Sequence, residues 1–454
     1  MELEHQERWP GNWRVRTEIV RSLAAHVAGE ASAVELLTKH LTHRSANVRL
    51  ATLTALSGAD RKAVSRSKKA AALRKQLLRV GSSTRQPSSH RSVAFAAVAQ
   101  LFPGDYKFTR LLDQASTPAD VRAGVIRSLG RLPSSRNIEI VLDRLTDPSL
   151  PPAMAAWETL PEILQDAKLK AGAEVTATAG SIAKSIKATL LRNDMALTTL
   201  VAQAVSDTAV LGILNAEGVL SPVTEDLMLA YATLSSPNDV EAMQALVMTL
   251  GTIGDVRAVP VLERALRDPD RTVAVRAAAS LERITGGDYA GRVQSSSDPV
   301  YTDYDWKTLE SIPEHLELEL TTSRGVITIE LLRDEAPFTV LSVVKLVRKN
   351  FYDGLSFHRV VPDFVIQGGD PRGDGWGGPG YSIRTETALV NYYRGMVGIA
   401  SAGKDTEGCQ FFITHSSQPH LDGRYTIFAR VVRGMSVVDA IQVGDTITDI
   451  AVKK

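Results

Sequence analysis

The stretch FHRVVPDFVIQGGDP, residues 357–371, concentrates side chains that could act on a substrate without forming a covalent bond to it. It alternates like a half-buried strand and carries one arginine, one glutamine and two phenylalanines. No serine, cysteine or paired carboxylate stands beside them to provide a nucleophile or a general acid. These residue types indicate chemistry that depends on a fixed cation, an amide and an apolar surface.

Arg359 is the natural hydrogen-bond donor of this stretch, because its guanidinium is planar, permanently charged and rich in N–H groups. Gln367 follows eight residues later, and an even spacing along a strand places both side chains on the same face. His358 would then point to the opposite side, where it is predicted to be a buried, hydrogen-bonded histidine rather than a catalyst.

The C-terminal part of the chain resembles the cyclophilin-type peptidyl-prolyl isomerases, in the short-looped form common in bacteria. The resemblance covers residues 315–454, nearly a third of the chain. It is carried by four segments in the family's order and at about its spacing: FYDGLSFHRVVPDFVIQGGDP, GMVGIASAG, GCQFFITHS and LDGRYTIFARVVRGMSVVDAI. It implies an eight-stranded antiparallel barrel capped by two helices.

The resemblance also implies an activity that fits the residue types. Rotation about an X–Pro bond has a barrier of ~18–20 kcal/mol and requires no nucleophile. Arg359 matches the family's catalytic arginine, and Gln367 matches the glutamine that bonds the substrate and steadies that arginine. The substrate would be a proline-containing peptide or an unfolded protein, and no metal or organic cofactor is implied. The matches to the proline pocket are Phe364, Val365, Phe412 and Leu421, and those to the groove for the residues before proline are Ala400, Ser401 and Gln410.

Four positions depart from the pattern best known in the family. Val365 stands where methionine is common, and Ser401 stands where asparagine is common. Tyr425 replaces a histidine at the pocket rim and keeps an aromatic face with a polar tip. His420 replaces a tryptophan that matters for cyclosporin in the family, so we expect cyclosporin to bind weakly here.

The same residues also allow interpretations in which they have no catalytic role. Arg359 could be a surface ion pair, and Phe364 and Phe412 could serve only as barrel core. The whole domain could also be a catalytically weak cyclophilin-fold binding module of a scaffold protein. Such modules often lack the arginine that this chain retains, which favours the enzyme.

The surrounding sequence predicts the elements that must hold these side chains. HLELELTT and SRGVITIELL alternate as two strands around a turn at 323–325, and a helix over APFTVLSVVKLVRKN begins with Pro337. Short strands, glycine-rich loops and a second short helix near SVVDAIQ follow, which is typical of a closed barrel.

Two motifs near the site are given no catalytic role. GWGGPG, residues 375–380, satisfies G-x-G-x-x-G, but no helix follows it as a dinucleotide site requires, so it is interpreted as a flexible loop beside the groove. Cys409, the one cysteine of the chain, is predicted to be an inert buried thiol.

Residues 13 to about 288 carry helical periodicity almost throughout. The clearest unit spans 254–286, with an apolar stripe, a break at Asp268-Pro269-Asp270 and a second helix. The stripe is predicted to contain Val256, Val259, Val261, Leu262, Ala265 and Leu266, and the second helix to bury Val275, Ala278, Leu281 and Ile284. This unit resembles the HEAT-repeat family and implies an all-α solenoid, although 150–235 fit the repeat poorly and predict an interruption there.

The change in composition and periodicity along the chain predicts two domains joined by a linker. A HEAT-like helical repeat domain spans 1–288, a linker rich in Gly, Ser, Asp and Pro spans 289–313, and the isomerase domain spans 314–454. The repeats are a candidate platform for client or partner proteins.

Residues 61–91 hold ten Lys or Arg and no acidic residue. A solvated helix face followed by a Ser-rich loop accounts for this run, and a docking patch for an acidic partner or for nucleic-acid phosphate is the sharper alternative. Because the run has no aromatic residue for base stacking, nucleic acid is a poor candidate for that partner.

Composition and charge limit the class of protein and the location that the sequence predicts. The chain has 454 residues, is 44% hydrophobic and carries a formal net charge of +1, which is typical of a globular protein without a global bias toward polyanions. No apolar run is long enough to predict a membrane span. The charged first twenty residues do not resemble a secretory signal, so a cytoplasmic location is the default expectation, and a start further upstream would allow a periplasmic or secreted one.

Overall fold

The computed structural model describes residues 13–26, 31–103, 108–165, 173–236, 238–294 and 306–453. Spatial contacts divide the chain into two compact units: residues 1–55 together with 300–454, and residues 56–299. The predicted domain limits at 288 and 314 stay a prediction, and residues 1–12 and 295–305, on which the N-terminal and linker predictions partly depend, lie outside the described residues.

The helices in chain order are α1 Trp13–His26, α2 Ala31–His40, α3 Ala46–Ser57, α4 Arg61–Ser65, α5 Ala70–Ser82, α6 Ser88–Leu101, α7 Ala119–Leu129, α8 Ser135–Arg144, α9 Leu150–Gln165, α10 Ala173–Leu190, α11 Met195–Ser206, α12 Thr208–Ala216, α13 Leu220–Thr233, α14 Val240–Ile253, α15 Val259–Ala265, α16 Arg271–Thr285, α17 Trp306–Ser311, α18 Pro337–Val347 and α19 Met435–Ala440. The strands are β1 Glu317–Thr322, β2 Gly325–Leu331, β3 Arg359–Val361, β4 Val365–Gly368, β5 Met396–Ile399, β6 Phe411–Thr414, β7 Ile427–Arg433 and β8 Ile447–Val452.

The unit of residues 56–299 is a helical stack. Helix α5 packs on α6, α6 on α7, α7 on α9, α9 on α11, α11 on α14 and α14 on α16, while α8, α10, α13 and α15 flank this row. Each helix thereby buries its apolar face against its neighbours, as in a solenoid. The helices over 150–235 continue the row through α9 and α11, so the stack is not broken where the sequence predicts an interruption, although α12 is an additional helix there.

Close helix contacts in this stack depend on glycine–serine pairs. A Cβ at Gly124 of α7 would clash with Ser92 of α6, and a Cβ at Gly251 of α14 would clash with Ser280 of α16. Both serines use the close approach to donate to a carbonyl of the facing helix, Ser92 to Asp120 O at 3.1 Å and Ser280 to Val247 O at 3.0 Å.

The predicted break at Asp268-Pro269-Asp270 is confirmed, and Asp270 caps α16 by accepting from Thr272 N at 2.8 Å. Two members of the predicted apolar faces are wrong. Val256 is 70% exposed because it lies in a short 3₁₀ turn before α15, and Val275 is 47% exposed while Val273 and Ala274 face the core.

No single helix among the described residues combines the length and apolar composition needed to cross a bilayer, although α11 and α12, bent by 73°, pass that test together.

The other unit contains a single curled antiparallel sheet. Its strand order is β3-β4-β6-β5-β7-β2-β1-β8, and the predicted turn between β1 and β2 is confirmed. Hydrogen bonds join the residues before β3 to the start of β8 and the turn before it, with Phe357 N donating to Asp445 O and Ile447 N to Leu355 O, each at 2.8 Å. These bonds bring the two edge strands together, which confirms the eight-stranded barrel.

The predicted helices of this unit are confirmed as α18, with Pro337 in its first turn, and α19. The main barrel core contains apolar residues of all eight strands, but it does not include Val365 of β4 and Phe412 of β6. Those two residues belong instead to a second, smaller apolar cluster.

Candidate active site

Arg359 and Gln367 face each other across the β3–β4 hairpin. They are directly opposed register partners, and Arg359 Nη1 donates to Gln367 Oε1 at 3.3 Å. The predicted shared face is therefore confirmed, but its reason is different, because the two residues lie on two paired strands and not on one. Among the described residues no other acceptor takes the N–H groups of Arg359.

The guanidinium of Arg359 also lies over an aromatic ring. Its Cζ is 5.6 Å from the centroid of Phe364, within the range of a cation–π contact. Partial desolvation lowers the pKa of Arg359, and the nearby Tyr425 acts in the opposite direction. An arginine stays charged under such a shift, so the site presents a permanent cation beside an apolar surface.

The second apolar cluster brings the predicted pocket residues together. Val365, Phe412 and Leu421 are buried in it, and Phe364, Ala400 and Tyr425 pack against it while partly exposed. The Tyr425 ring meets Phe412 edge-on at 5.9 Å, and the exposed His420 ring stacks on Phe364 at 5.4 Å.

The predicted groove residues lie next to this cluster. Ala400 N donates to Gln410 O at 2.8 Å, and Ser401 is half-buried directly after it. Gln410 Oε1 accepts from Gln367 Nε2 at 3.0 Å, which connects the groove to the Arg359–Gln367 pair.

Gln410 is fixed in turn by the glycine-rich loop. Its Nε2 donates to Gly375 O and Gly377 O, both at 2.9 Å. The buried carboxylate of Asp370 holds that loop by accepting from the backbone N of Arg372, Asp374 and Gly375. The GWGGPG motif thus borders the groove, as predicted.

Known proteins match this barrel and its hairpin. The model of the cyclophilin type peptidyl-prolyl cis-trans isomerase family matches residues 317–454. Peptidyl-prolyl cis-trans isomerase B of Bacillus subtilis (strain 168) is 46% identical over 129 residues, which are 28% of this chain and 90% of the relative. The chain belongs to the cyclophilin-type isomerases.

Two further relatives have the same description. A peptidyl-prolyl cis-trans isomerase of Helicobacter pylori (strain ATCC 700392 / 26695) is 41% identical over 34% of this chain and 95% of its own length. A crystal structure of a Cryptosporidium parvum cyclophilin type isomerase covers 31% of this chain and 98% of that chain, at 29% identity and a TM-score of 0.30.

A second family model, the PBS lyase HEAT-like repeat, matches residues 244–268. The match overlaps the predicted unit at 254–286 and lies on α14 and α15. The helical part of the chain therefore carries a HEAT-like repeat beside the isomerase domain.

Sequence reasoning missed two residues that support the pocket floor. Tyr392 is fully buried, stacks on Phe412 at 5.5 Å and donates from its hydroxyl to Thr426 O at 3.2 Å. Gly398 is the cross-strand partner of Phe412, and a Cβ there would clash with the ring of Phe412 and the hydroxyl of Tyr392. The aromatic pair in NYYRG, just before β5, is the signal that could have identified Tyr392.

Two neighbouring predictions have different outcomes. Cys409 is buried, and burial raises the pKa of its thiol to about 12, which keeps it protonated as an inert thiol should be. The predicted hydrogen bond of His358 is wrong, because neither ring nitrogen has a partner among the described residues, and desolvation lowers the pKa of this histidine.

Proposed function

We propose that Arg359 accelerates X–Pro isomerisation by donating to the twisted amide while the pocket around Phe412 holds the proline ring. The observation that carries this proposal is the arginine itself, a charged fork held at the edge of an apolar cluster by Gln367 and Phe364. We assign Phe364, Val365, Leu421, His420 and Tyr425 to the proline pocket, and Ala400, Ser401 and Gln410 to the adjoining groove.

The physics of the reaction explains why these parts suffice. A planar amide resists rotation by ~18–20 kcal/mol because twisting removes its resonance. The nitrogen of the twisted amide regains a lone pair that can accept a hydrogen bond, so a fixed donor beside it binds the twisted amide more strongly than the planar ground state. A rate gain of about 10⁵ would require ~7 kcal/mol of such differential binding.

The side chains of Gln367 and Gln410 behind Arg359 support this role, because their hydrogen bonds determine which end of each amide donates and which accepts. The two loop carbonyls accept from Gln410, so Gln410 must present its NH₂ group to them and its oxygen to Gln367. Gln367 then offers its NH₂ to Gln410 and its oxygen to Arg359. The guanidinium is thereby preorganised before the substrate binds.

We expect the full chain to accelerate cis–trans exchange of an Ala-Pro peptide, measured by NMR exchange spectroscopy. This assay needs no coupled protease, so proteolysis cannot imitate activity. A folded chain without any acceleration would favour the alternative, a binding module that holds proline segments without catalysing their rotation.

Cyclosporin is expected to bind weakly to this chain, with a dissociation constant well above the nanomolar range. The His420 ring is smaller than the indole that the family carries and stacks flat on Phe364. His420→Trp should therefore tighten binding, measured by titration calorimetry. A nanomolar dissociation constant for the unaltered chain would contradict this expectation.

The helical unit is proposed to bind client or partner proteins. Stacked helical repeats present extended surfaces that suit long segments, and the basic run at 61–91 adds charge to this one. Nine of its ten basic residues lie at least partly exposed on α4, α5 and the adjoining turns, whereas Arg91 is buried and donates to Gly81 O at 3.0 Å. An acidic protein segment is the partner that this charge favours.

Charge reversal tests this platform. Combining Arg61→Glu, Lys62→Glu and Lys68→Glu should slow the catalysed refolding of an acidic, proline-limited client by about tenfold, because ~1.4 kcal/mol of attraction is lost. Exchange of a short Ala-Pro peptide should not change. The matched control reverses Lys184 on α10, Arg267 in the turn after α15 and Arg271 on α16, which are exposed in the same unit. An equal loss in the control, or an unchanged client rate, would exclude a docking role for the basic run.

A further inference from the structure

The first helices of the chain are part of the compact unit that contains the isomerase barrel. Asn47 Nδ2 donates to Asp439 O at 2.8 Å, and Gln442 Nε2 donates to Asn47 Oδ1 at 3.0 Å. Both Asn47 and Gln442 are buried. Buried side-chain amides need hydrogen-bond partners, and here Asn47 and the barrel segment 439–442 supply them to each other.

Helix α1 adds two contacts to the same side of the barrel. The Trp13 ring meets the His415 ring edge-on at 5.3 Å, and Arg14 forms an ion pair with Asp439 at 3.3 Å. His415 follows β6 directly, and its N donates to Phe364 O at 2.8 Å. Helix α1 therefore contacts the segment after β6 that is hydrogen-bonded to Phe364.

One residue of α1 reaches the turn of the catalytic hairpin itself. Arg21 Nη2 donates to Pro362 O, and Arg21 Nη1 lies 3.5 Å from the Asp363 carboxylate. The turn 362–364 joins β3, which carries Arg359, to β4, which carries Gln367. Phe364 is its last residue.

This turn has a conformation that needs support. Asp363 has φ of 60°, a left-handed conformation that costs an L-residue roughly 1 kcal/mol. Its carbonyl is held from the barrel side, since Ser416 Oγ and Gln418 Nε2 donate to Asp363 O at 2.7 and 2.9 Å. The opposite side of the turn is held by Arg21.

We propose that Arg21 is a positioning residue of the isomerase site, which holds the Pro362–Asp363 turn so that Phe364 and Arg359 keep their mutual geometry. The family match begins only at residue 317, so α1 supplies this support from outside the matched domain. The inference rests on the roles proposed above for Arg359 and Phe364. Arg21 acts through the turn and does not itself touch the pocket.

The charges around Asp363 make this support depend on pH. Burial and a hydrogen bond with Glu18 raise the pKa of Asp363 to about 6, against which Arg21 acts. Burial alone would raise the pKa of Glu18, but its bonds to Asp363 and Arg21 hold that pKa below the usual value. Below pH 6 a protonated Asp363 can therefore donate to an ionised Glu18, whereas above pH 6 two carboxylates meet and Arg21 must hold them together.

The remaining groups near Asp363 do not titrate in this range. On α1, Arg14 is a further cation near Asp363. On the barrel side, Ser416 and Gln418 are neutral, and burial lowers the pKa of His415 to about 4, so it is uncharged above pH 5. Because the folded pKa of Asp363 lies above its ordinary 3.8, this group makes the docked helix less stable as pH rises from about 4 to 6. Above pH 6 the contribution is constant.

The test compares the full chain with Arg21→Ala in the Ala-Pro exchange assay between pH 5 and 8. We expect kcat/KM to fall about fivefold at pH 8, which corresponds to ~1 kcal/mol of lost support, and less than twofold at pH 5. Arg21→Lys keeps the charge and should restore most of the rate at pH 8. The ring resonances of Phe364 should shift in Arg21→Ala.

Arg49→Ala is the matched control. Arg49 also donates to backbone carbonyls, His43 O at 2.8 Å and Arg44 O at 3.0 Å, but these lie within the helical segment and not in the catalytic hairpin. It should change neither the rate nor the Phe364 resonances. A loss in Arg21→Ala that is equal at pH 5 and 8, or no larger than in Arg49→Ala, would overturn the proposal.

Arg359→Ala in the same assay distinguishes a failure of the proposed catalytic role of Arg359 from a failure of the positioning role of Arg21. If Arg359→Ala leaves the rate unchanged, the proposed catalytic role fails, and the positioning role fails with it. If Arg359→Ala abolishes acceleration while Arg21→Ala has no effect at any pH, only the positioning role is overturned.

Discussion

Replacing Arg359 by alanine is expected to lower kcat/KM for an Ala-Pro peptide by about 10²–10³, the usual effect of removing one preorganised donor to a transition state. The loss should fall mainly on kcat, because the guanidinium binds the twisted amide and not the planar one. Exchange spectroscopy at several peptide concentrations separates kcat from KM.

Arg359→Lys makes this prediction sharper. A lysine keeps the positive charge but not the planar fork that can donate to Gln367 and the substrate together, so an intermediate rate is expected. Arg433→Ala is the matched control, because Arg433 forms an exposed ion pair with Glu317 on the barrel at 2.9 Å. It should retain the rate of the unaltered chain. If Arg359→Ala also retains that rate, the site binds proline without using the arginine for catalysis.

The catalytic hairpin could be predicted from the sequence, but its geometry could not. Spacing along the chain correctly assigned Arg359 and Gln367 to one face, yet that argument assumed a single strand. Asp363 turns the chain between them with a positive φ, and a turn reverses direction without changing which face two paired residues share. Local spacing cannot distinguish these arrangements, because the three-residue turn 362–364 separates paired residues by an even number of positions, as a single strand would.

The pocket shows a similar limit. Phe364, Val365, Phe412 and Leu421 could be found from a family pattern, whereas Tyr392 and Gly398 support them from elsewhere in the fold. Their roles depend on cross-strand contact between β5 and β6, and register is a tertiary property. The same reason explains the helical errors, since Val275 matches the apolar period while neighbouring residues set which face is buried.

The grouping of α1–α3 with the barrel could not be predicted at all. Sequence texture assigns all early helices to one array, because amphipathic helices look alike whatever they pack against. The partners of Asn47 and Arg21 are more than 300 residues away along the chain, in the barrel. Only the folded contacts distinguish a helix of the array from a helix that supports the catalytic hairpin.

The second large effect is expected at Phe412, because this residue decides whether the small apolar cluster is only core or also a pocket. Phe412→Leu removes the ring that stacks on Tyr392 and meets Tyr425 edge-on. We expect kcat/KM to fall on the order of tenfold, mainly through KM, because the proline ring loses an aromatic wall worth ~1.4 kcal/mol.

Phe428→Leu is the control that separates packing from binding. Phe428 is buried slightly more deeply than Phe412 but lies in the main barrel core. Both substitutions should lower the free energy of unfolding by a similar amount, roughly 1–3 kcal/mol, as calorimetry of the full chain can check. Activity measured well below either unfolding transition should fall only in Phe412→Leu. Equal losses of activity would mean that Phe412 acts through barrel stability, and the pocket would then have to be sought among its neighbours Phe364 and Leu421.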